Sequence, residues 1–331
     1  MVVVVVAVAE GGGVNLIENR RTHMRNLNHV PSMAVLTLAI GLLPGCTTVP
    51  AQAKFTTPDQ AAAALQQALS STNLGAMHAV FGREWMEVSA SGDPVADQHD
   101  REVVALAMNQ SWHWAPRAND TQELIIGDER WPFPVPLIRT GGEWQFDSEA
   151  GREEVLSRRI GGNELGVISL CREYVRAQKE YASQPHDTNP PGVYAQHFRS
   201  TPGLQDGLYW KQQRGGAPSP FGALVDSGIE EGYDPNKPDA SPFRGYRFRI
   251  LKAQGPAAPG GKQSYVVNGE LTGGFALLAY PAQYLSSGVM TFMVGQDGVV
   301  YQQDLGKDTL SRASRLLEYN PDLSWTAVQA P

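Results

Sequence analysis

Apolar residues recur at helical spacing through the first part of the chain and at a two-residue spacing through its last third. Thr57-Pro58-Asp59-Gln60 predicts a helix start, with Thr57 as N-cap, Pro58 at the first helical position and an alanine-rich body from Ala61 to Leu69. A second helix is expected over Leu74 to Phe81, capped by Asn73, and a third from Asp93-Pro94 through Val103, Val104, Leu106 and Ala107 to Trp112. After Pro116 the period becomes extended, with strands at Glu123 to Ile126, Pro134 to Arg139 and Glu143 to Phe146 and a Gly141-Gly142 hairpin turn. A short charged helix over 151–162 is expected to end at Gly161-Gly162. From Asn163 a longer one carries the stripe Leu165, Ile168, Cys171, Tyr174, Val175, Gln178 and Tyr181.

Residues 184–243 are rich in Pro, Gly and Asp and too long for a featureless loop, so short helices are expected at Val193 to Phe198 and Phe221 to Gly228. Gly245 to Lys252 then alternates Tyr246, Phe248 and Ile250 against Arg247 and Arg249, the period of a half-buried strand. Tyr265 to Asn268, Phe275 to Tyr280, Val289 to Val294 and Val299 to Gln303 follow at hairpin intervals. Gln296-Asp297-Gly298 is a turn, and Asp308 caps a closing helix over Thr309 to Tyr319. The fold class expected is α+β in two domains, 55–162 and 163–331. The first, helices followed by a curled antiparallel sheet, resembles the cone of the nuclear-transport-factor-like superfamily.

The segment ahead of these domains carries the most specific signal. Met33 to Leu43 is an uncharged apolar run of 11 residues, well short of the roughly 20 a helix needs to span a bilayer. It reads as the core of a signal peptide occupying 1–45. Leu43-Pro44-Gly45-Cys46 follows and resembles a bacterial lipobox, with Pro44 in place of a small residue. That resemblance implies diacylation at Cys46, a tether over 46–54, and anchorage on the periplasmic side of the envelope. With Thr47 rather than aspartate after the cysteine, it implies the outer membrane. Met24-Arg25-Asn26 supplies a basic region at normal length, so translation is expected to start at Met24 rather than ahead of the apolar Met1 to Ala9. The alternative, a twin-arginine signal at Arg20-Arg21, has His23 where a large apolar residue is usual.

Length and composition narrow the function classes. A chain of 331 residues exceeds what one core usually organises, and its formal charge of −7 disfavours a general nucleic-acid grip, which needs a basic footprint. Removing 1–45 takes away three arginines and two glutamates, moving the charge from −7 to −8. The 2 cysteines allow neither a disulfide framework nor a cysteine zinc site. With Cys46 lipidated, Cys171 is the one free thiol.

Several strings carry a resemblance. Trp131-Pro132-Phe133-Pro134-Val135-Pro136-Leu137, Trp144-Gln145-Phe146-Asp147, Arg158-Arg159-Ile160-Gly161-Gly162-Asn163-Glu164-Leu165, Asp206-Gly207-Leu208-Tyr209-Trp210 and Gly288 to Gly306 resemble the bacterial family called domain of unknown function 2950, over residues 55 to 328. The resemblance implies an exported protein and brings no catalytic residues with it. Residues 163–305 are also similar in plan to type IV pilin and pseudopilin heads, although the helix from Asn163 follows another domain rather than a membrane segment.

Candidate chemistry is sparse. Asp93, Asp97, His99 and Asp100 are residue types that would suit a hard or borderline metal, but Asp93 as a cap and acids in a first helical turn explain them as well. Asp234, Asn236 and Asp239 lie where pseudopilin heads hold calcium, though two prolines intervene and the glycine and glutamate of a calcium loop are missing. No cofactor is expected, with calcium at this loop as the alternative. Trp112-His113-Trp114 reads as a ligand-stacking site or as a core edge, and Trp131 to Pro136 as a rigid edge segment. Cys171 with His186 or His197 makes a thiol-imidazole pair on paper, but a thiol on an apolar stripe is expected in the core. Arg244, Arg247 and Arg249 suit an acidic partner or a phosphate, or simply a solvated sheet face. No G-x-S-x-G, H-E-x-x-H, P-loop or dinucleotide fingerprint occurs. The function expected is a lipid-anchored binding or scaffold protein for an envelope partner, with no catalytic residues assigned. The alternative is a small-ligand binder or hydrolase using a pocket in 55–150.

Overall fold

The computed structural model describes residues 51–329 apart from 72–73, 83–84, 86–89, 188, 213–215, 232 and 234–240. Helix α1 (Pro58–Leu69) starts where its cap requires: Thr57 Oγ1 accepts from Gln60 N at 3.3 Å, and Gln60 Oε1 accepts from Thr56 N. It buries Ala61, Ala62, Leu65, Ala68 and Leu69 on one side. Helix α2 (Leu74–Phe81) follows; the cap expected at Asn73 lies outside the described residues. Helix α3 (Pro94–Gln110) opens at the N-cap Asp93 and stops at Ser111, whose backbone is extended.

Trp112 is therefore not helical. It begins β1 (Trp112–Arg117), paired antiparallel with β2 (Thr121–Ile126) through a turn with Asn119 and Asp120 at positive φ. The alternation Trp-His-Trp has a strand's period, and pairing with β2 outweighs continuation of the helix. β3 (Trp131–Pro132) also pairs with β2, and β4 (Leu137–Thr140) and β5 (Glu143–Phe146) complete a sheet of order β1-β2-β4-β5. Its core gathers Leu65, Phe81, Met108, Leu124, Ile126 and Phe146.

The largest departure from expectation is α4 (Ser148–Ala182), a single helix of 35 residues that runs unbroken through Gly161-Gly162. The boundary between 55–162 and 163–331 thus falls inside a helix. The two cores nevertheless separate along it: Val155 and Leu156 pack on the first, and Val167, Leu170, Cys171 and Tyr174 belong to the second. Two glycines weaken a helix by about 1 kcal/mol each, which packing at both ends outweighs. Leu165, expected on the buried stripe, is instead 55% exposed. A Cβ at Gly161 or Gly162 would meet nothing within 4 Å beyond its own stretch of helix, and neither residue has a positive φ. Gly161→Ala and Gly162→Ala should therefore each raise stability by about 0.5–1 kcal/mol, read as a higher urea midpoint; a lower midpoint would mean that the helix must bend there.

The Pro/Gly-rich stretch after α4 is ordered by polar hooks. Gln178, fully buried, donates to Ala195 O at 2.8 Å and accepts from Ala195 N at 2.9 Å. Val193 to Phe198 forms no helix; it leads into β6 (His197–Arg199), which pairs in parallel with β7 (Gly207–Tyr209). Those two hydrogen bonds hold the segment against α4 and replace the internal bonds of a helix. Helix α5 (Gly222–Glu230) stands where one was expected.

The second sheet is antiparallel. β8 (Tyr246–Leu251) pairs with β13 (Ala276–Pro281), and between them come the short pairs β9 (Ala253–Gln254) with β10 (Gln263–Ser264) and β11 (Val266–Val267) with β12 (Glu270–Leu271). The main order is β16-β15-β14-β13-β8, with β13 (Ala276–Pro281), β14 (Met290–Gly295), β15 (Val300–Asp304) and β16 (Thr326–Ala327). Phe292 and Val294 turn toward α4, and Met293 toward the opposite face, where α6 (Thr309–Arg315) lies. Helix α6 ends short of the expected Tyr319, whose N–H and C=O bond Ala253 O and Gly255 N instead, each at 2.9 Å; the Arg249 guanidinium takes up the carbonyls of Ala313 and Leu316 at the helix end. Asp308 occupies the N-cap position without a side-chain bond. The fold is α+β: among the described residues, two five-stranded antiparallel sheets share the helix α4, with three two-stranded pairs beside them.

Candidate functional site

Asp93 sits where the segments around the two cores meet. Its Oδ1 accepts from Val95 N at 3.2 Å and Ala96 N at 3.3 Å, capping α3. Its Oδ2 accepts from the Tyr233 hydroxyl at 2.7 Å and from Gly245 N at 2.9 Å, both far away in sequence. The carboxylate is 1% exposed, so four donors replace its water. The Tyr233 hydroxyl in turn accepts from Arg244 N at 2.8 Å. Burial first, and its bond to Asp93 second, push that phenol well above the usual tyrosine range.

The seam continues onto α4. Asn163 donates to Ser287 O at 2.9 Å, and Glu164 Oε1 accepts from Val289 N and Met290 N, each at 2.9 Å. Ser286 Oγ donates to Ala90 O at 3.1 Å, tying the same loop back to the approach to α3. Gly245 is at φ +76°, and a Cβ there would lie 2.5 Å from Asn163 Nδ2, so the approach of β8 to α4 needs glycine. Asn163 and Glu164 could not be assigned this role from sequence; their only signal is a polar pair directly after two glycines.

Asp97, His99 and Asp100 do not join Asp93 in a common site. Asp97 accepts from Ser91 N at 3.0 Å, and among the described residues no group of three or more His, Cys, Asp or Glu is placed to hold a metal. Asp100 is exposed on one side, while burial of its carboxyl raises it above the usual carboxylate range and the Arg159 charge acts against that shift. Burial lowers the Arg159 guanidinium despite Asp97 and Asp100 nearby, and its Nη1 has no partner among the described residues. Asp234, Asn236 and Asp239 lie outside the described residues.

The remaining candidates also resolve into structure. Cys171 is fully buried, and burial pushes its thiol up to about 12. The His186 ring nitrogens face Tyr181 O at 3.0 Å and Gln205 Oε1 at 3.3 Å, and the ring stacks on Tyr181, while His197 is exposed. Trp112 and Trp114 are half-buried against the first core with His113 exposed between them, the core-edge arrangement. Of the three arginines, Arg244 pairs with Glu231 and Arg249 caps α6. Phe81 lies between Trp85, Phe133 and Phe146 at ring distances of 4.3, 6.2 and 5.0 Å, so aromatic side chains fill the first core. An open recess of about 320 Å³ beside α6 is bordered by Met293, Leu316 and Trp325. Of its charged neighbours, Arg312 bonds Leu305 O and Glu318 pairs with Lys262.

Residues 52–328 match the model of a family described as Protein of unknown function (DUF2950). No curated protein and no solved structure matches the chain.

Proposed function

The chain belongs to the DUF2950 family, and we propose that it is an exported, lipid-anchored binding or scaffold protein of the bacterial envelope. The observation that carries this reading is the Met33 to Leu43 apolar run followed directly by Leu43-Pro44-Gly45-Cys46. Two acyl chains on Cys46 give far stronger membrane affinity than one, at about 0.8 kcal/mol per buried CH₂. The anchor lies on the periplasmic side, at the outer membrane given Thr47, and the domains stand off it on residues 46–54. Among the described residues no helix is long and apolar enough to cross a membrane, so the lipid is the attachment in this proposal.

Asp93, Glu164 and Asn163 each answer main-chain groups or a tyrosine of the same chain, so the seam serves to join the two cores in this reading. In this reading the second sheet, with α4 on one face, is the part that contacts a protein partner, in the manner of a pilin head. No cofactor enters the reading. Cys46→Ser should move the protein from the membrane fraction to the soluble fraction of cells expressing it, and its retention in membranes would defeat the anchor. In-cell crosslinking should recover one dominant envelope protein; recovery of bulk porins alone at several crosslinker lengths would remove the scaffold role.

A further inference from the structure

The five-stranded sheet ends at β8, and hydrogen bonds at both ends of that strand determine which of its main-chain groups face outward. Gly245 O accepts from Ala282 N at 2.9 Å on the β13 side. Tyr246, the next residue, exchanges both of its main-chain bonds with Phe243 on the other side, at 2.8 and 3.1 Å. Alternation along an antiparallel strand then turns Arg247, Arg249 and Leu251 toward β13, and Phe248 and Ile250 away from it. Lys252 belongs to the outward set, and its carbonyl accordingly accepts from Tyr265 N at 2.9 Å. Phe243 and Tyr265 thus close the two ends of an edge. Between them the N–H and C=O of Phe248 and Ile250 have no main-chain partner among the described residues.

An extended main chain matches this row of donors and acceptors in spacing, the mode by which a peptide adds a strand to a sheet edge. Charge narrows it further. Arg249 is bonded to carbonyls and Lys252 Nζ to Gln196 Oε1 at 3.1 Å, so both positive charges have neutral partners. A second copy of the same edge would bring these like charges together, the arrangement that protects natural edge strands from self-pairing. We propose that the β8 edge takes up an extended acidic peptide segment of a partner protein as an added strand, bonded to Phe248 and Ile250 and attracted by Arg249 and Lys252. This deepens the binding role proposed above and rests on it for the partner's compartment.

Amide hydrogen exchange on the full chain tests the idea, with a blocked Glu-Val-Glu-Val-Glu-Val peptide as probe and Lys-Val-Lys-Val-Lys-Val as its control. Alone, the protein should exchange the Phe248 and Ile250 amides about 100-fold faster than those of Arg247 and Arg249. The acidic peptide at millimolar concentration should slow both by about tenfold or more, and the basic one should leave them unchanged. Ile250→Pro removes an outward donor together with a side chain packed on the second core, and it leaves the main-chain bonds of β8 to β13 in place, so the Arg247 and Arg249 amides should stay protected while the peptide no longer protects Phe248. Protection before any peptide is added, no slowing by the acidic peptide, or equal slowing by the basic one would each overturn the proposal. So would protection that grows with protein concentration alone, which would make a second copy the occupant. The Cys46 fractionation result is independent of all of these outcomes.

Discussion

Replacing Asp93 by alanine should lower the stability of the protein by about 4 kcal/mol. Loss of an N-cap accounts for about 1 kcal/mol. The larger part comes from the Tyr233 hydroxyl and the Gly245 amide, which lose their acceptor in a buried place, at about 1–3 kcal/mol for each donor left unpaired. Asp93→Asn keeps an oxygen for α3 but turns an N–H₂ toward those two donors, so it should recover less than half of the loss. Asp97→Ala leaves one donor, the amide of the buried Ser91, without its acceptor and should cost about 2 kcal/mol. Urea midpoints of the three variants decide the matter. If Asp93→Ala falls no further than Asp97→Ala, the carboxylate caps one helix and does not clamp the seam.

Stability should fall steeply in alkali, beginning near pH 9. The Cys171 thiol, with a usual value of 9.0, is pushed up to about 12 by complete burial. Between those values the unfolded chain has lost the proton and the folded chain still holds it, so rising pH favours unfolding. Below pH 9 both forms are protonated and the group has no effect. Across the window the loss amounts to roughly 1 kcal/mol for each pH unit. Tyr174 and Tyr246, both fully buried and raised chiefly by burial, add to it in the same direction once pH passes the ordinary tyrosine value. The urea midpoint should therefore decline from pH 9 and decline faster above pH 10. Cys171→Ala should remove the decline between pH 9 and 10 while leaving the steeper part. A wild-type midpoint that is flat from pH 8 to 10 would show that the thiol is solvated in the folded protein.

Both effects rest on residues whose types stand out in the sequence, but for different reasons. Asp93-Pro94 is a readable helix start because a cap is a contact among near neighbours, and so is the Thr57-Pro58 start of α1. The second role of Asp93, toward Tyr233 and Gly245, joins positions far apart in the chain and leaves no local pattern. Arg249 shows the same limit. Its alternation with Ile250 marks a strand, yet its carbonyl partners Ala313 and Leu316 follow only from where α6 packs. Gly161-Gly162 misleads for the converse reason: glycine is a weak local stop, and contacts of α4 with a core at each end outweigh it.

Sequence alone determined the helix caps at Thr57 and Asp93, the strands with a two-residue period, the Gln296-Asp297-Gly298 turn, the placement of Cys171 in a core and the α+β class. All of these depend on dihedral preference or on periodic burial within about ten residues. Tertiary structure decided the continuity of α4, the strand at Trp112, the hooks that order 193–199, the seam around Asp93 and the open edge of β8. Each of these depends on which distant group comes to lie opposite, and for hydrogen bonds closed over long loops that information resides in the packing of the two cores.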